Sequence, residues 1–163
     1  MGETLAVCHL DTPLGTLLIT GSEAGVRAIR FLDEAPPALP AESPPTVLSV
    51  CAQQLREYFE GRRRSFEVPL DLRGTPFQLR VWELLQRIPF GETRTYLDLA
   101  LALGDVKAVR AVGAANGQNP VPIIVPCHRV IGQDGQLVGY GGGLWRKEWL
   151  LAHEGRPLQP RLF

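Results

Sequence analysis

The 163-residue chain has few cysteines and no long hydrophobic run, and these absences exclude several classes of protein. Its three cysteines are far apart and form no CxxC pair, so we expect no disulfide framework. No apolar stretch approaches the roughly 18–20 residues that cross a bilayer. The N-terminus shows no basic segment followed by an apolar one, the pattern of a signal peptide. We therefore expect a cytoplasmic protein that does not enter the membrane.

A net charge is also lacking, because 17 basic residues balance 17 acidic ones. The charge is nevertheless unevenly divided. Residues 1–74 carry seven arginines against ten acidic residues, a net charge of −3, and residues 75–163 carry ten basic against seven acidic residues, a net charge of +3. Charge asymmetry between halves can mark a half that binds a polyanion. The excess is small and by itself favours nucleic acid only slightly.

The first half, residues 1–74, has the pattern of a small sheet domain. Three apolar segments separated by turn residues predict an antiparallel meander of three strands: 5–10, 16–20 and 26–31. A proline-rich loop, a helix and one more strand are predicted to follow: 35–45, 47–60 and 66–70.

The second half, residues 75–163, predicts a mainly helical domain. Thr75 and Thr95 can each N-cap a helix, and a proline follows Thr75 at the favoured first position. Apolar spacing and glycine stops predict four helices: 76–88, 96–103, 106–116 and 145–153. Two short helices joined by a tight turn form a helix-turn-helix pattern, which is weak evidence of DNA binding by itself. The expected fold class is α+β with two domains, 1–74 and 75–163.

Cys127 is the residue whose neighbours point most clearly to chemistry. It ends a proline-rich segment, residues 120–126, that we expect to be extended and stiff, and it is followed by a histidine and an arginine. An imidazole and a guanidinium beside a thiol favour the thiolate, which is the nucleophile. The alternative is a buried structural cysteine, the interpretation we keep for Cys8 and Cys51.

The segment 124–131, with the sequence IVPCHRVI, resembles the active-site signature of the O6-alkylguanine-DNA alkyltransferases. Four further blocks resemble the family in the expected order: 89–96, 110–116, 117–122 and 149–155. The resemblance implies a ribonuclease-H-like N-terminal domain with a small antiparallel sheet. It also implies a C-terminal domain with a winged-helix-like helix-turn-helix.

The resemblance implies direct-reversal DNA repair, in which the alkyl group of O6-alkylguanine is transferred irreversibly to Cys127 in a single turnover without a cofactor. His128 would take the thiol proton through a water, and Glu154 would orient that histidine. Tyr96 would donate to guanine N3, where negative charge develops on the leaving base. Asn119 would tie the recognition helix to the active-site segment.

The expected partner is double-stranded DNA containing O6-alkylguanine, and we expect the protein to be a monomer. The resemblance implies that the base is flipped out through the minor groove and that Arg110 fills the gap. The other residues expected to face DNA are Thr95, Ala108, Ala111 and Gly113. The residues expected to line the base pocket are Val130, Tyr140, Gly141 and Trp149.

Some members of the family bind zinc in the N-terminal domain, but Cys8, His9 and Cys51 are a poor ligand set, so we predict no metal. Three alternatives fit part of the sequence. An alkyltransferase-like protein that binds lesions without repairing them would lack the cysteine that is present here. A helix-turn-helix regulator leaves Glu154 unexplained, and a cysteine hydrolase needs a direct cysteine–histidine contact that neighbours in an extended strand do not make.

Overall fold

The computed structural model describes residues 5–34 and 43–155, and the chain divides between Arg73 and Gly74 into two compact units. The elements of the first unit are three strands and a helix: β1 (Ala6–Thr12), β2 (Gly15–Ser22), β3 (Gly25–Leu32) and α1 (Thr46–Phe59). The elements of the second unit are four helices and two very short strands: α2 (Pro76–Gln86), β4 (Arg94–Thr95), α3 (Tyr96–Ala102), α4 (Val109–Gly117), β5 (Val130–Ile131) and α5 (Leu144–His153).

The sheet of the first unit is an antiparallel meander in the order β1-β2-β3, so the predicted meander is confirmed. Each strand is longer than predicted because the turns are tight. The β1–β2 turn closes at Gly15, whose φ of 102° suits glycine, and the Thr12 hydroxyl accepts a hydrogen bond from the Leu14 N–H at 3.0 Å. Alternate side chains of the strands, including Leu17 and Ile19, are fully buried in the core that α1 covers.

The strand predicted at 66–70 is wrong, because in this segment only Leu70 forms a bridge, with Val26. Pro69 has no N–H for a ladder, and the Glu67 N–H donates to the Gln54 side chain at 2.9 Å instead. Most of the loop predicted at 35–45 lies outside the described residues.

Helices α2 and α3 of the second unit begin where local capping chemistry predicts. Thr75 and Thr95 are N-caps of α2 and α3, and each forms a full capping box with the third residue of its helix. The helix predicted from residue 106 starts differently, since Val106–Ala108 is a 3-10 turn and the α-helix begins at Val109. Helices α2 and α3 both pack on α4.

The segment 120–129 is folded back on itself, so the prediction of an extended segment is wrong. Its N–H groups find acceptors within the segment: the Val125 N–H donates to Val121 O at 3.0 Å and the Arg129 N–H to Pro126 O at 3.0 Å. The chain reverses at Ile123, whose φ of 76° is rare for a β-branched residue and costs about 1–3 kcal/mol. Cys127–Arg129 then form a 3-10 turn that leads into β5, which pairs in parallel with β4.

Within the described residues, the longest helix has 14 residues, and none of the helices is long and apolar enough to span a bilayer.

Candidate active site

Cys127 is the first residue of the 3-10 turn and is only 6% exposed. Burial raises the pKa of its thiol, and a hydrogen bond from Asn119 and the charge of Lys147 offset that effect only in part. This raised pKa is the opposite of the lowered pKa that the neighbouring residues led us to expect. The reason is geometric, because the side chains that follow Cys127 in sequence are engaged by Glu154.

Glu154 lies directly after α5, and its carboxylate is almost completely buried. Its Oε2 is 2.7 Å from His128 Nε2, and its Oε1 accepts from Arg129 Nε at 2.7 Å. Burial alone would raise the pKa of Glu154, but hydrogen bonds from His128 and Arg129 and the charge of Arg129 hold it well below its usual range. The carboxylate is therefore ionised at neutral pH and can orient the histidine.

His128 is fully buried, and burial lowers the pKa of its imidazole despite the nearby carboxylate. The ring is therefore neutral at pH 7. Because Nε2 faces a carboxylate, Nε2 carries the proton and Nδ1 is the basic nitrogen. Nδ1 is buried and has no hydrogen-bond partner among the described residues. It is thus available to accept a proton.

Arg129 links the Glu154 carboxylate to the segment that follows α2. Its Nη2 donates to Glu154 Oε2 at 3.0 Å, and its Nη1 donates to Ile88 O, two residues beyond α2, at 2.6 Å. The Gly91 N–H also points to Glu154 Oε1, at 3.4 Å. The carboxylate thus receives donors from two segments that are far apart in sequence, which fixes its position.

Tyr96 is the first residue of α3, and its hydroxyl donates to Val138 O at 3.0 Å. Lys147, fully buried on α5, donates to the same carbonyl at 3.0 Å and to Gly139 O at 3.4 Å. The Val138 carbonyl therefore accepts from both side chains. Burial raises the pKa of Tyr96, and a hydrogen bond from Asn116 acts in the other direction.

The predicted hinge residue Asn119 links the end of α4 to the segment before Cys127. Its Nδ2 donates to Val125 O at 2.7 Å, and its Oδ1 accepts from the Val121 N–H at 3.0 Å. Both bonds close the reversal that precedes the cysteine.

The four residues predicted to line a base pocket have different surroundings. Val130 is fully buried, Gly141 is exposed, and burial raises the pKa of Tyr140 well above its usual value. Trp149 is half-buried and stacks on His153 with ring centroids 4.8 Å apart. This stacking gives no support to the predicted place of Trp149 in the pocket.

The residues predicted to face DNA lie on or beside α4 and at the start of α3. Arg110 and Ala111 are exposed, and Ala108 and Gly113 are half-buried. The Thr95 hydroxyl accepts from the Asp98 N–H at 3.0 Å, so its observed task is to cap α3.

Two buried polar residues of the site, Asn116 and Lys147, were not predicted to have a role there, and Arg129 was predicted only to favour the thiolate. Arg129 lies within the signature segment, and that position was a signal for it. Asn116 lies within block 110–116, which is the same kind of signal, whereas Lys147 carried none, because polar residues in short helices are usually exposed.

The fold and the site together indicate a cysteine-based transferase with a helix pair suited to DNA. Family models match both halves of the chain. The model for the ribonuclease-like domain of 6-O-methylguanine DNA methyltransferase matches residues 6–72, and the model for its DNA binding domain matches residues 76–156. The chain belongs to the 6-O-methylguanine DNA methyltransferase family, which confirms the resemblance noted in the sequence and the predicted α+β fold.

Individual relatives agree with the family models. The methylated-DNA–protein-cysteine methyltransferase of Mycolicibacterium paratuberculosis is 47% identical over 149 residues, covering 90% of each chain. The constitutive enzyme of that name from Bacillus subtilis is 47% identical over 138 residues, covering 81% of this chain and 84% of the relative. A crystal structure of Mycobacterium tuberculosis OGT in complex with DNA is similar with a TM-score of 0.81 and 47% identity, covering 90% of each chain.

Proposed function

We propose that this protein repairs DNA by direct reversal, moving the alkyl group of O6-alkylguanine to Cys127 once per chain. The single observation that carries the proposal is the buried thiol followed by a neutral histidine whose other nitrogen is held by Glu154. A nucleophile, a base and a group that orients the base are the parts of an activated cysteine. Relatives named as methylated-DNA–protein-cysteine methyltransferases support the same reaction.

The transfer balances without a cofactor. The thiol proton passes through one water to His128 Nδ1, and the sulfur forms a bond to the alkyl carbon. The bond between that carbon and O6 breaks, and its electron pair stays on guanine. The proton then passes from His128 to guanine, so the products are a thioether on Cys127 and guanine. Burial of the sulfur leaves the thiolate poorly solvated, and a poorly solvated thiolate reacts more readily.

Tyr96 assists the departure of guanine. The Tyr96 hydroxyl has one proton, which it donates in a hydrogen bond to the Val138 carbonyl. When a guanine occupies the pocket, its N3 would accept this hydrogen bond in place of the Val138 carbonyl. Negative charge accumulates at N3 as the bond to O6 breaks. The backbone N–H of Gly141 and the carbonyls of Cys127 and Val130 would face O6 and the exocyclic amine, and Tyr140 would form a wall of the pocket.

The helix α4 would enter the minor groove. Its exposed Arg110 would fill the gap left by the flipped base, and small residues on the same helix would allow close approach. The crystal structure of a relative in complex with DNA supports DNA as the partner. We include a monomeric state, a division into domains 1–74 and 75–163 and a cytoplasmic location in the proposal.

The reaction is tested by incubating the protein with a duplex that contains one O6-methylguanine and measuring its intact mass. We expect one added methyl group, about 14 Da, on the peptide that contains Cys127 and never more than one per chain. An unmodified duplex is the control and should add nothing. Repeated turnover by one chain, or methyl groups on Cys8 or Cys51, would overturn the proposal.

The role of Arg110 is tested by comparing duplex DNA with the free base O6-benzylguanine. Arg110→Ala should slow transfer from duplex at least about tenfold, because the flipped state loses the side chain that fills the gap, and should leave transfer from the free base nearly unchanged. Arg87→Ala removes an exposed arginine near the end of α2 and is the control for loss of charge. Equal slowing on both substrates would contradict the proposed role.

A further inference from the structure

Arg146 lies in the first turn of α5 and is only 5% exposed. Its Nη1 donates to Gly142 O at 2.8 Å, and its guanidinium carbon lies 4.6 Å from the centroid of the Trp145 ring. A buried arginine is costly unless its donors are bound, and here one acceptor is the backbone of residues 138–143, which we call the pocket segment. Neither the relay nor the departure of guanine gives this arginine a role.

The other end of the pocket segment is bound to the same helix. Lys147, which is fully buried, donates to Val138 O at 3.0 Å and to Gly139 O at 3.4 Å. Within the segment, the Gly143 N–H donates to Tyr140 O at 2.8 Å and closes a turn. The pocket segment is therefore bound to α5 near both of its ends and is folded on itself between them.

The middle of the pocket segment lies close to the residues that surround the nucleophile. A Cβ at Gly141 would be 4.0 Å from Gly117 O, at the end of α4. The residue before Gly117 is Asn116, whose Nδ2 donates to Cys127 O at 3.4 Å. Cys127 itself is only 6% exposed, so the packed site leaves little room beside the sulfur. An alkyl group larger than methyl therefore needs the pocket segment to move.

Entry of a base would release only one of the contacts that hold the pocket segment. The Tyr96 hydroxyl donates to Val138 O in the structure and, on the proposed function, turns to guanine N3. The bonds from Lys147 and Arg146 then remain. Lys147 binds the beginning of the segment, whereas Arg146 binds the residue directly after Gly141, whose N–H would face O6. The bond from Arg146 is therefore the one that opposes movement of the segment away from the alkyl group.

We propose that Arg146 determines which alkyl groups are accepted: its bond to Gly142 O limits how far the pocket segment moves to admit a bulky group. A methyl group reacts without moving the segment, whereas a benzyl group requires this bond to break. This inference rests on the proposed function and deepens it, because it concerns the substrate range of the same site. The bonds that form and break are those of the alkyl transfer above, and Arg146 exchanges no proton.

The test compares two duplexes of the same sequence, one with O6-methylguanine and one with O6-benzylguanine. Arg146→Met keeps a long unbranched side chain but removes the donor to Gly142 O. We expect the ratio of the single-turnover rates, benzyl to methyl, to rise about tenfold in this variant. A tenfold change corresponds to about 1.4 kcal/mol, which one hydrogen bond from a charged donor can supply. Arg146→Lys keeps a charged donor and should raise the ratio less.

Both rates are measured in one preparation, so a partly unfolded variant lowers both and leaves their ratio intact. The control is Arg87→Met, which makes the same exchange at an exposed arginine that pairs with Glu83. It should leave the ratio unchanged. If the unmodified protein transfers no benzyl group, detectable benzyl transfer by Arg146→Met is the corresponding expected result.

An unchanged or lower ratio in Arg146→Met would show that the arginine only supports the fold and would overturn the inference. A rise of equal size in Arg146→Lys or in Arg87→Met would overturn it as well, because the effect would not depend on the bond to Gly142. Absence of methyl transfer by the unmodified protein would instead overturn the proposed function, and this inference would fall with it.

Discussion

The two units bury very different kinds of side chain. Of the seven polar or charged residues buried in the described part of the chain, the first unit contributes Gln54 alone. The second unit contributes six, and five of them belong to the candidate site: Asn116, His128, Arg129, Lys147 and Glu154. Buried charge costs free energy and is weak evidence for stability, so its concentration in one unit indicates function there.

The three thiols allow the two units to be compared through one kind of side chain. All three are buried, and burial raises the pKa of each thiol, that of Cys51 to about 12. Among them, only the pKa of Cys127 is also lowered by a hydrogen-bonding amide and a buried lysine. The lesson is that burial does not distinguish a reactive cysteine from an inert one here. The polar groups around the sulfur do.

The largest expected effect comes from exchanging the sulfur itself. Cys127→Ser should abolish transfer, because a serine hydroxyl is a far weaker nucleophile than a thiolate and the histidine cannot compensate. Cys51→Ser should retain full transfer, although the Cys51 thiol is buried as well. Intact mass after reaction with O6-methylguanine duplex measures both. Any methylation of the Cys127→Ser variant would show that another residue accepts the methyl group, and the distinction between the reactive and the inert cysteines would fail.

A large effect is expected from Glu154→Gln. Loss of the carboxylate leaves Arg129 as an uncompensated buried charge, which costs about 3–5 kcal/mol of unfolding free energy. It also frees the histidine, so transfer should slow about 10²–10⁴-fold. Single-turnover rates and urea unfolding measure the two effects.

The control for Glu154→Gln is Asp71→Asn in the first unit. Asp71 pairs with Arg27 at 2.9 Å, but both side chains retain solvent contact. The pair is therefore worth about 0–1 kcal/mol, and its loss should leave the transfer rate unchanged. Similar losses in both variants would remove the distinction between the two sets of charges.

A moderate effect is expected when Arg129 is replaced by glutamine. Burial lowers the pKa of His128, and the charges of Arg129 and Lys147 lower it further against the pull of Glu154. Without Arg129 the pKa rises, so the neutral histidine is lost at a higher pH. The acid limb of the rate profile with O6-benzylguanine should therefore move to higher pH. Arg27→Gln in the first unit should not move it, and an unmoved profile in Arg129→Gln would refute the assignment.

The smallest effect concerns alkaline stability and Cys51. Its pKa is about 12 in the folded protein against an ordinary value of 9.0. The unfolded chain therefore releases this proton first, and the contribution to stability is full below pH 9 and is lost as the pH rises toward 12. Cys51→Ala should make the decline above pH 9 shallower by at most about 1.4 kcal/mol per pH unit. Denaturant unfolding at several pH values measures it, and an unchanged slope would show that the thiol is not protected by burial.

The parts of the fold that could be predicted are those encoded locally. The meander and the capping boxes of Thr75 and Thr95 depend on residues within a few positions of each other. The segment 120–129 could not be predicted, because prolines restrict φ without fixing where the intervening N–H groups bond. It therefore reverses at Ile123 instead of running straight.

The site was predicted through resemblance more than through local chemistry. Neighbours in sequence suggested that Arg129 would favour the thiolate of Cys127, but its guanidinium turns to Glu154 and Ile88 instead. Likewise, nothing in the sequence of α5 indicates that Lys147 is buried and reaches Val138. Such contacts join residues distant along the chain, and only the packed structure brings them together.

The hydrogen bond from the Tyr96 hydroxyl to the Val138 carbonyl has a consequence for how the protein would distinguish damaged from normal DNA. Any guanine that enters would exchange that carbonyl for its own N3, and N3 is the same whether or not O6 carries an alkyl group. The tyrosine therefore cannot discriminate by affinity. On the proposed function, a normal guanine would be sampled and returned to the duplex, whereas an alkylated one would be distinguished by reacting. At this tyrosine, identification and repair would then be one event, because only the formation of the carbon–sulfur bond would separate a damaged base from a normal one.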